Sequence, residues 1–411
     1  MSHFLLARYY TAMAYYNQYP QHVPPFAMGG QPMIPFPTGP SRKNSDSSES
    51  SFDAIPFVPA FPSESDSGPF IPPNFDELDE EEHKNKIYEV KPYRFQPSRN
   101  DWKHLPVTGL RLGGEGDSKF SHKHRGERPV SQVRIITWNV DYITPNPVQR
   151  LMEALRTIEE KVLDCKGGEA PEPCVIMLQE VAVVAFQAIL EDEWVRRWFV
   201  LVPVSPDKWP ETMYGNITLV TAGLNIAEAH ILHYGPSRMQ RTALCVKLKL
   251  HYPGGRDRAV VSFVNTHLES FAHGIAYRPE QLELCTRFVK LRGVEGGVIA
   301  GDMNPVCPED VKLPQENGLM DAWRKGEGEE GHTWGFQGNT GYPTSRMDKI
   351  LYRPNPSYRV DEPQKFGMGL TINTHDPKGG MSELFISDHY GLHTLFSITG
   401  RRQGSGSSSD W

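Results

Sequence analysis

The chain has 411 residues, room for two or three average domains or for one large α/β domain with tails. Residues 1–85 hold four basic and eleven acidic residues, which accounts for the whole formal net charge of −7; the balanced remainder neither advertises nor excludes a polyanionic partner. The five cysteines, Cys165, Cys174, Cys245, Cys285 and Cys307, are scattered, odd in number and without a Cys-x-x-Cys pair, which argues for a reduced interior against a disulfide scaffold or zinc knuckle, and no apolar run is long enough to span a membrane.

The apolar segment within residues 1–8 is too short for a secretory signal, so none is expected. Residues 1–85 contain 13 of the 35 prolines, a Ser-rich stretch at 45–51 and an acidic cluster at 76–82. Such a segment cannot bury enough surface to offset its ordering entropy and is expected to be a disordered tail. Its apolar patches, such as Ile55-Pro56-Phe57-Val58, are candidate docking peptides for protein partners, although a solvated tail is the plainer reading. Residues 86–130 are expected to form a linker or flap, with Tyr88, Tyr93, Phe95 and Trp102 packing on the domain. The basic loop at 119–128, with Lys123, His124 and Arg125, is read as solvated, phosphate contact being the alternative.

From residue 131 to 399 the pattern predicts a single catalytic domain, followed by a Gly/Ser tail at 400–411. Residues 133–141 predict a strand with Val133, Ile135, Thr137, Asn139 and Asp141 on one face. Asn146 is the expected N-cap of a helix with Pro147 in its first turn and Leu151, Leu155, Ile158 and Val162 inward. Residues 175–178 predict a buried strand ending at Gln179-Glu180, and 183–198 one helix. Strands follow at 217–221 and 243–250, the second reached through Arg238 and Arg241. The strand at 260–264 empties into Asn265-Thr266-His267-Leu268-Glu269-Ser270, and 279–292 predict a helix with Leu282, Cys285 and Val289 inward. A buried strand at 297–304 delivers Asp302 and Asn304 to the same side, and segments 347–352 and 385–390 flank the last strands. Strands interrupted by helical segments imply two packed sheets with helices outside.

Strand ends thus present Asn139 and Asp141, Glu180, His267, Asp302 and Asn304, and Asp388 with His389, while Asp348 starts another strand. Singly, an Asp at a strand end is a turn or cap residue and a His is a hydrogen-bonded core group. As a set they have the parts for metal-assisted phosphodiester hydrolysis, since burying them is costly unless they bind something. Mg²⁺ takes oxygen ligands, one or two carboxylates among them, and Asp141 and Glu180 suit it. Asp302 can take a proton from water with Asn304 orienting it. Asn139, His267 and His389 can donate to phosphoryl oxygens, with Asp348 behind a cationic His389. No His-x-x-x-His pair supports zinc, and no G-x-x-x-x-G-K-[ST] loop supports a nucleotide triphosphatase.

Thr137-Trp138-Asn139, Gln179-Glu180, Asn265-Thr266-His267, Gly301-Asp302-Met303-Asn304 and Ser387-Asp388-His389 resemble, in the same chain order, the motifs of the endonuclease/exonuclease/phosphatase superfamily. The resemblance covers about residues 131–399. It implies a four-layer α/β/β/α sandwich of the DNase I-like type and a single Mg²⁺, with Mn²⁺ as substitute. Within the superfamily, Thr137 to Asp141, Leu178-Gln179-Glu180-Val181, His267 to Ser270, Arg278 with Gln281-Leu282, and Thr333-Trp334 look most like the type-2 tyrosyl-DNA phosphodiesterase family. That implies Asp141 and Glu180 around the metal, Asp302 as the main acid/base, His389 at the phosphate, and Ser270, Tyr214 and Trp334 against the DNA strand or the adduct. The implied partner is a DNA 5′ end with a single-stranded overhang, the implied process DNA repair, and the implied location the nucleus, with the cytoplasm as a second site.

The family has an Arg two places after the Asn of Gly-Asp-x-Asn; here Pro305-Val306-Cys307 follows, so that phosphate or strand-end contact is either missing or supplied elsewhere, with Arg238, Arg241 and Arg324 as the candidates. Nor do residues 1–85 read as the ubiquitin-binding module of the animal enzyme. The alternatives are another DNA or RNA nuclease, or an inositol-phosphate phosphatase, whose Pro-x-Trp-x-Asp-Arg-Ile-Leu is partly echoed at 345–351. A non-catalytic interaction module is disfavoured, because Glu180, Asp302 and His389 are all retained.

Overall fold

The structure is a computed structural model that describes residues 84–110, 129–210, 212–255, 257–338, 341–375 and 380–400. The chain divides into two units, Met1–Glu64 and Ser65–Trp411, and every described residue lies in the second. The expected tail at 1–85 (but for 84 and 85), the basic loop at 119–128 and the tail from 401 onward lie outside the described residues.

Lys86–Glu89 (β1), Tyr93–Gln96 (β2) and Asp101–His104 (β3) open the described chain, followed by Gln132–Asn139 (β4), Pro147–Thr157 (α1) and Cys174–Ala182 (β5). Phe186–Glu191 (α2) and Glu193–Trp198 (α3) lead to Phe199–Val202 (β6), Tyr214–Thr221 (β7), Asn225–His233 (β8), Thr242–His251 (β9) and Arg258–His267 (β10). Then come Arg278–Lys290 (α4), Gly296–Asp302 (β11), Pro308–Glu316 (α5), Met320–Asp321 (β12) and Asp348–Tyr352 (β13). Tyr358–Val360 (β14), Gln364–Phe366 (β15), Thr371–His375 (β16), Met381–Phe385 (β17) and Gly391–Ile398 (β18) close it.

Among the described residues one sheet runs β1-β8-β9-β10-β11-β13-β12, and the other runs β14-β18-β4-β5-β7-β6-β2-β3 with β15 also on β18. Each contains one parallel pair at its heart, β10 with β11 and β4 with β5. The alternation of side chains along β10 explains the layering. Val261 and Phe263 enter the core between the sheets, where Phe263 meets Phe396 of β18 edge to face at 5.6 Å. Val264 faces the other way, into a cluster with Leu282, Cys285 and Val289 of α4 and with Ile299. Helix α4 therefore covers β10 and β11, and α1 covers β5. The result is the expected four-layer α/β/β/α sandwich.

Two differences from expectation have local causes. The helix expected over 183–198 is broken at Asp192, whose backbone is extended and whose carboxylate accepts from Val195 N as the N-cap of α3. Residues 86–104, expected as linker or flap, add strands to both sheets: β1 pairs with β8, and β2 pairs with β6. Phe95 and Trp102 alternate inward there, and the Trp102 indole donates to Leu190 O.

Candidate active site

Parallel pairing brings the C-terminal ends of β10 and β11 level, so that His267 lies opposite Asp302. The antiparallel neighbour β13 starts at the same height and sets Asp348 opposite Asp302. In the facing sheet, the β4–β5 pairing ends with Asn139 opposite Gln179. The segment before β18 is pinned onto β4, because Ser387 Oγ donates to Asn139 O and the Trp138 indole donates to His389 O at 2.9 Å. Beneath these ends lies a buried polar plug between the sheets. Gln179 Nε2 donates to Asn265 Oδ1 at 2.7 Å, and Asn265 Nδ2 donates to Leu178 O and Ile217 O. These amide bonds fix the register of one sheet against the other, although Gln179 Oε1 is buried there without a hydrogen-bond partner.

Asp302 is the hub. Its Oδ1 accepts from Asn304 N at 3.0 Å, and its Oδ2 accepts from Asn139 Nδ2 at 3.1 Å, with His267 Nε2 at 3.3 Å and His389 Nε2 at 3.7 Å. Burial pushes its carboxyl up to about 6, against the pull of His389 and with the push of Asp348. Asn304 was expected to orient Asp302 from the same face. It does so through its backbone N–H; its side-chain amide donates instead to Leu268 O at 3.1 Å. The reason is that β11 stops at Asp302 and Asn304 takes a left-handed backbone, φ 47.

The two histidines are tuned in opposite directions. Arg241 Nη1 lies 2.8 Å from His267 Nδ1, and a guanidinium can only donate, so the imidazole proton sits on Nε2 facing Asp302. Burial, then Arg241 and His389, hold His267 well below its ordinary pKa, in its neutral form. His389 is equally buried, but Asp348, Asp388 and Asp302 outweigh that and hold it well above, as an imidazolium that donates from Nδ1 to Asp348 Oδ2 at 2.8 Å.

The cation expectation is tested by which lone pairs are free. Among the described residues, Asp302, Asp348 and His389 form a group of potential ligands with atoms within 4.8 Å of one another. Within that group His389 Nδ1 is already bonded to Asp348 Oδ2. Glu180 is different. It sits in a bulge of β5 at φ 56, and among the described residues its carboxylate accepts hydrogen bonds from two neutral donors, Asn139 Nδ2 at 3.1 Å and Tyr142 N at 3.2 Å. Burial pushes its carboxyl up to about 7 despite Arg241, with Asp141 and Asp388 adding repulsion. A hard divalent cation beside Glu180 fits this donor set. Asp141 is engaged otherwise than expected. Its Oδ1 caps the turn by accepting from Ile143 N and Thr144 N, and its Oδ2 faces Arg150 Nη1 at 3.6 Å. Its backbone has left the strand, at φ 52, so sheet alternation does not aim it.

Three of the expected substrate contacts meet on one flank. Arg241 donates from Nη1 to Tyr214 Oη at 3.0 Å and from Nη2 to Ser270 Oγ at 2.7 Å, besides its bond to His267. Trp334 stands on the other flank, its indole donating to Asp388 Oδ2 at 2.8 Å. Of the arginines that are candidates to replace the missing one, Arg241 touches the site. Arg324 does not: it lines a surface cavity with Tyr352, Pro354 and Tyr358, at the end of β13 away from Asp348.

Several supports carried no assigned role in the sequence, although Glu269 and Thr333 stand within the motifs quoted above. Arg150 is fully buried and donates to Val140 O, Asp141 O, Thr144 O and Ile386 O, gathering two site segments. Tyr142 stacks on Tyr214 with ring centroids 4.0 Å apart. Glu269 accepts from Ser237 Oγ and Met239 N and so shapes the approach to Arg241. Thr333 Oγ1 accepts from Asp348 N. A helix arginine such as Arg150 reads as solvated unless its carbonyl partners, Pro145 O among them, are known.

No match is found among curated proteins. Solved structures that resemble the chain include TDP2 from Caenorhabditis elegans, 19% identical over 65% of this chain and 74% of that one with a TM-score of 0.49. They also include TDP2 of D. rerio complexed with a single-stranded DNA product, 19% identical over 65% and 100% with a TM-score of 0.49. A third is a mannosyl-6-phosphatase of Bacteroides thetaiotaomicron, 11% identical over 65% and 100% with a TM-score of 0.44. The model of the Endonuclease/Exonuclease/phosphatase family matches residues 136–389, from within β4 through His389. With that match spanning more than half of its length, the chain belongs to the endonuclease/exonuclease/phosphatase family, whose members hydrolyse phosphate esters.

Proposed function

We propose that the protein is a Mg²⁺-dependent phosphodiesterase of DNA 5′ ends that releases covalently linked tyrosine during DNA repair, with Mn²⁺ able to substitute. The observation that carries the hydrolytic reading is the position of Asp302 Oδ2, within 3.1–3.7 Å of Asn139, His267 and His389. The finer substrate reading is supported by the tyrosyl-DNA phosphodiesterase-like motifs and by the flank of Arg241, Tyr214 and Ser270.

Glu180 would hold the cation, which when bound supplies charge neutralisation at a phosphate oxygen. The chain's own groups do the rest. Asp302 takes a proton from the attacking water, and its raised pKa makes it a better base than an exposed aspartate. Neutral His267 offers Nε2–H, and the His389 imidazolium offers its Nε2–H, to the phosphoryl oxygens as charge gathers there. Asn139 separates the Glu180 and Asp302 carboxylates by donating one N–H to each. Arg241, held by Tyr214, His267, Ser270 and Met239 Sδ, is oriented for a phosphate or strand contact. A tyrosyl phenol has a pKa of about 10 and leaves with little help, so no dedicated general acid is required. A DNA substrate puts the place of action in the nucleus, which a fluorescent fusion tests.

The direct experiment offers a 5′-phosphotyrosyl oligonucleotide, an unmodified DNA, an RNA and a soluble inositol phosphate, each with Mg²⁺, Mn²⁺ or chelator. Release of 5′-phosphate DNA from the first, abolished by chelator and by Asp302→Ala, is the expected result. Turnover confined to the inositol phosphate would exclude the nucleic-acid reading.

A further inference from the structure

The turn after His267 holds an unusual backbone. Phe271 has φ 59 and ψ −178, a region that glycine alone enters without steric cost. Its neighbours impose it. The fully buried Arg278 donates from Nη1 to Glu269 O at 2.8 Å and to Phe271 O at 2.9 Å, the carbonyls on either side of Ser270. The rest of that guanidinium is gripped by Asp310, through Nε at 2.9 Å and Nη2 at 2.8 Å. Gly274 packs so close to Nη1 that a Cβ there would overlap it. Asp310 also accepts from Val306 N and Cys307 N, so one ion pair ties the Ser270 turn to the segment that follows Asn304.

The imposed turn has two consequences. It sends Ser270 Oγ to Arg241, and it turns the Phe271 ring outward, 61% exposed. Among the described residues the ring reaches only the tilted His273 ring, at 5.9 Å, and is not part of the core. Glycine at this position would relax the backbone and leave no apolar ring in water. An aromatic side chain held by a strained turn, one residue from a group bonded to Arg241, is placed to meet a ligand. The opposite flank also offers rings, with Trp334 and the exposed Tyr342 at 6.3 Å. A single strand crossing the site would pass between them, and every nucleotide offers a π face for stacking.

We propose that Phe271 is a substrate-contact residue whose ring stacks on the unpaired nucleobase next to the scissile phosphate, an inference that rests on the nucleic-acid reading above. The test compares wild type with Phe271→Gly and Phe271→Trp on two single-stranded 5′-phosphotyrosyl oligonucleotides. One carries a base at its 5′ nucleotide and the other is abasic there, and melting temperatures are recorded alongside. Phe271→Gly should melt within a few degrees of wild type and show a KM raised about tenfold on the base-bearing substrate, with kcat changed by less than about twofold. The difference should vanish on the abasic substrate, and Phe271→Trp should keep the wild-type KM. An unchanged KM for Phe271→Gly, where wild type turns the substrate over, overturns the proposal alone. Equal losses on both substrates also overturn it, assigning the ring to the leaving group if melting is unchanged and to the fold if melting drops. Wild type that cleaves bis(p-nitrophenyl) phosphate but neither oligonucleotide overturns the nucleic-acid reading itself.

Discussion

His389 Nδ1 lies 2.8 Å from Asp348 Oδ2, while its Nε2 looks toward Asp302 Oδ2 at 3.7 Å and Asp388 Oδ1 at 3.8 Å. One buried imidazolium is thus shared among three carboxylates from β11, β13 and the segment before β18. Removing Asp348 removes the nearest of them. Asp348→Asn should lower the pKa of His389, so the alkaline limb of the kcat/KM profile should move to lower pH, and kcat at pH 8 should fall about 10²-fold or more. The sign for stability is the same. A histidine whose folded pKa is raised stabilises below its unfolded value of about 6.5, and that contribution is lost as pH rises through the folded pKa. Stopped assays across pH 5–10 on both proteins check it, and an unmoved alkaline limb would detach His389 from the reaction.

Asp302 has the opposite ledger. Its carboxyl is raised to about 6 chiefly by burial, so ionising it costs the folded state stability, and that cost grows as pH climbs from 4 past 6. Asp302→Asn should abolish turnover and yet stabilise the fold by on the order of 2–3 kcal/mol at pH 8, the gain shrinking toward pH 4. Urea melts at the two pH values read the difference. A destabilised Asp302→Asn at pH 8 would show that the carboxylate is already well compensated without a cation.

How much of this was readable in the chain depends on the backbone at each residue. His267 and Asp302 end regular strands, so alternation from Phe263 and from Val298 puts them in the space between the sheets. Asp141, Glu180 and Asn304 lie at φ 52, 56 and 47, beyond the reach of that argument. Their motifs marked the neighbourhood, while their directions come from turns that only coordinates reveal. Asn146 shows the same limit. Its place before Pro147 suggested a cap, yet it sits at φ 61 with no capping bond, and its amide donates to Thr374 Oγ1. Arg150 carried no signal, and Arg278 was marked by its motif without a role, for another reason. A buried cation is recognised by partners far apart in sequence, such as Ile386 O for Arg150 and Asp310 for Arg278.

Arg241 joins His267, Tyr214 and Ser270 through a planar fork, and a lysine cannot reproduce that geometry. Arg241→Lys keeps the charge but leaves at least one of the three partners unbonded. We expect kcat/KM on a phosphotyrosyl oligonucleotide to fall about 10–100-fold, mostly through KM, because the arginine acts on binding and orientation more than on the proton transfer. Turnover of a small aryl phosphodiester should fall much less. If both substrates lose equally, the role of Arg241 is confined to keeping His267 neutral and aligned.

The sharpest expectation for the cation concerns stability as well as activity. Glu180 and Asp302 are bridged by Asn139 Nδ2 at 3.1 Å to each, and both are pushed up by burial, to about 7 and about 6. Burial therefore makes each of them resist a negative charge. A bound divalent cation should relieve both, so Mg²⁺ should raise the melting temperature of the wild type at pH 8. Ligand at about a hundred times Kd stabilises by roughly 2.7 kcal/mol, which is several degrees for a domain of this size. Glu180→Gln removes the carboxylate with free lone pairs, and its melting temperature should be higher than wild type without metal and nearly flat against Mg²⁺. Asp141→Asn should lose far less of the Mg²⁺ response, because Oδ1 of Asp141 is bonded to Ile143 N and Thr144 N and Oδ2 turns to Arg150. Equal responses in Glu180→Gln and wild type would move the cation away from Glu180, toward the carboxylates around His389.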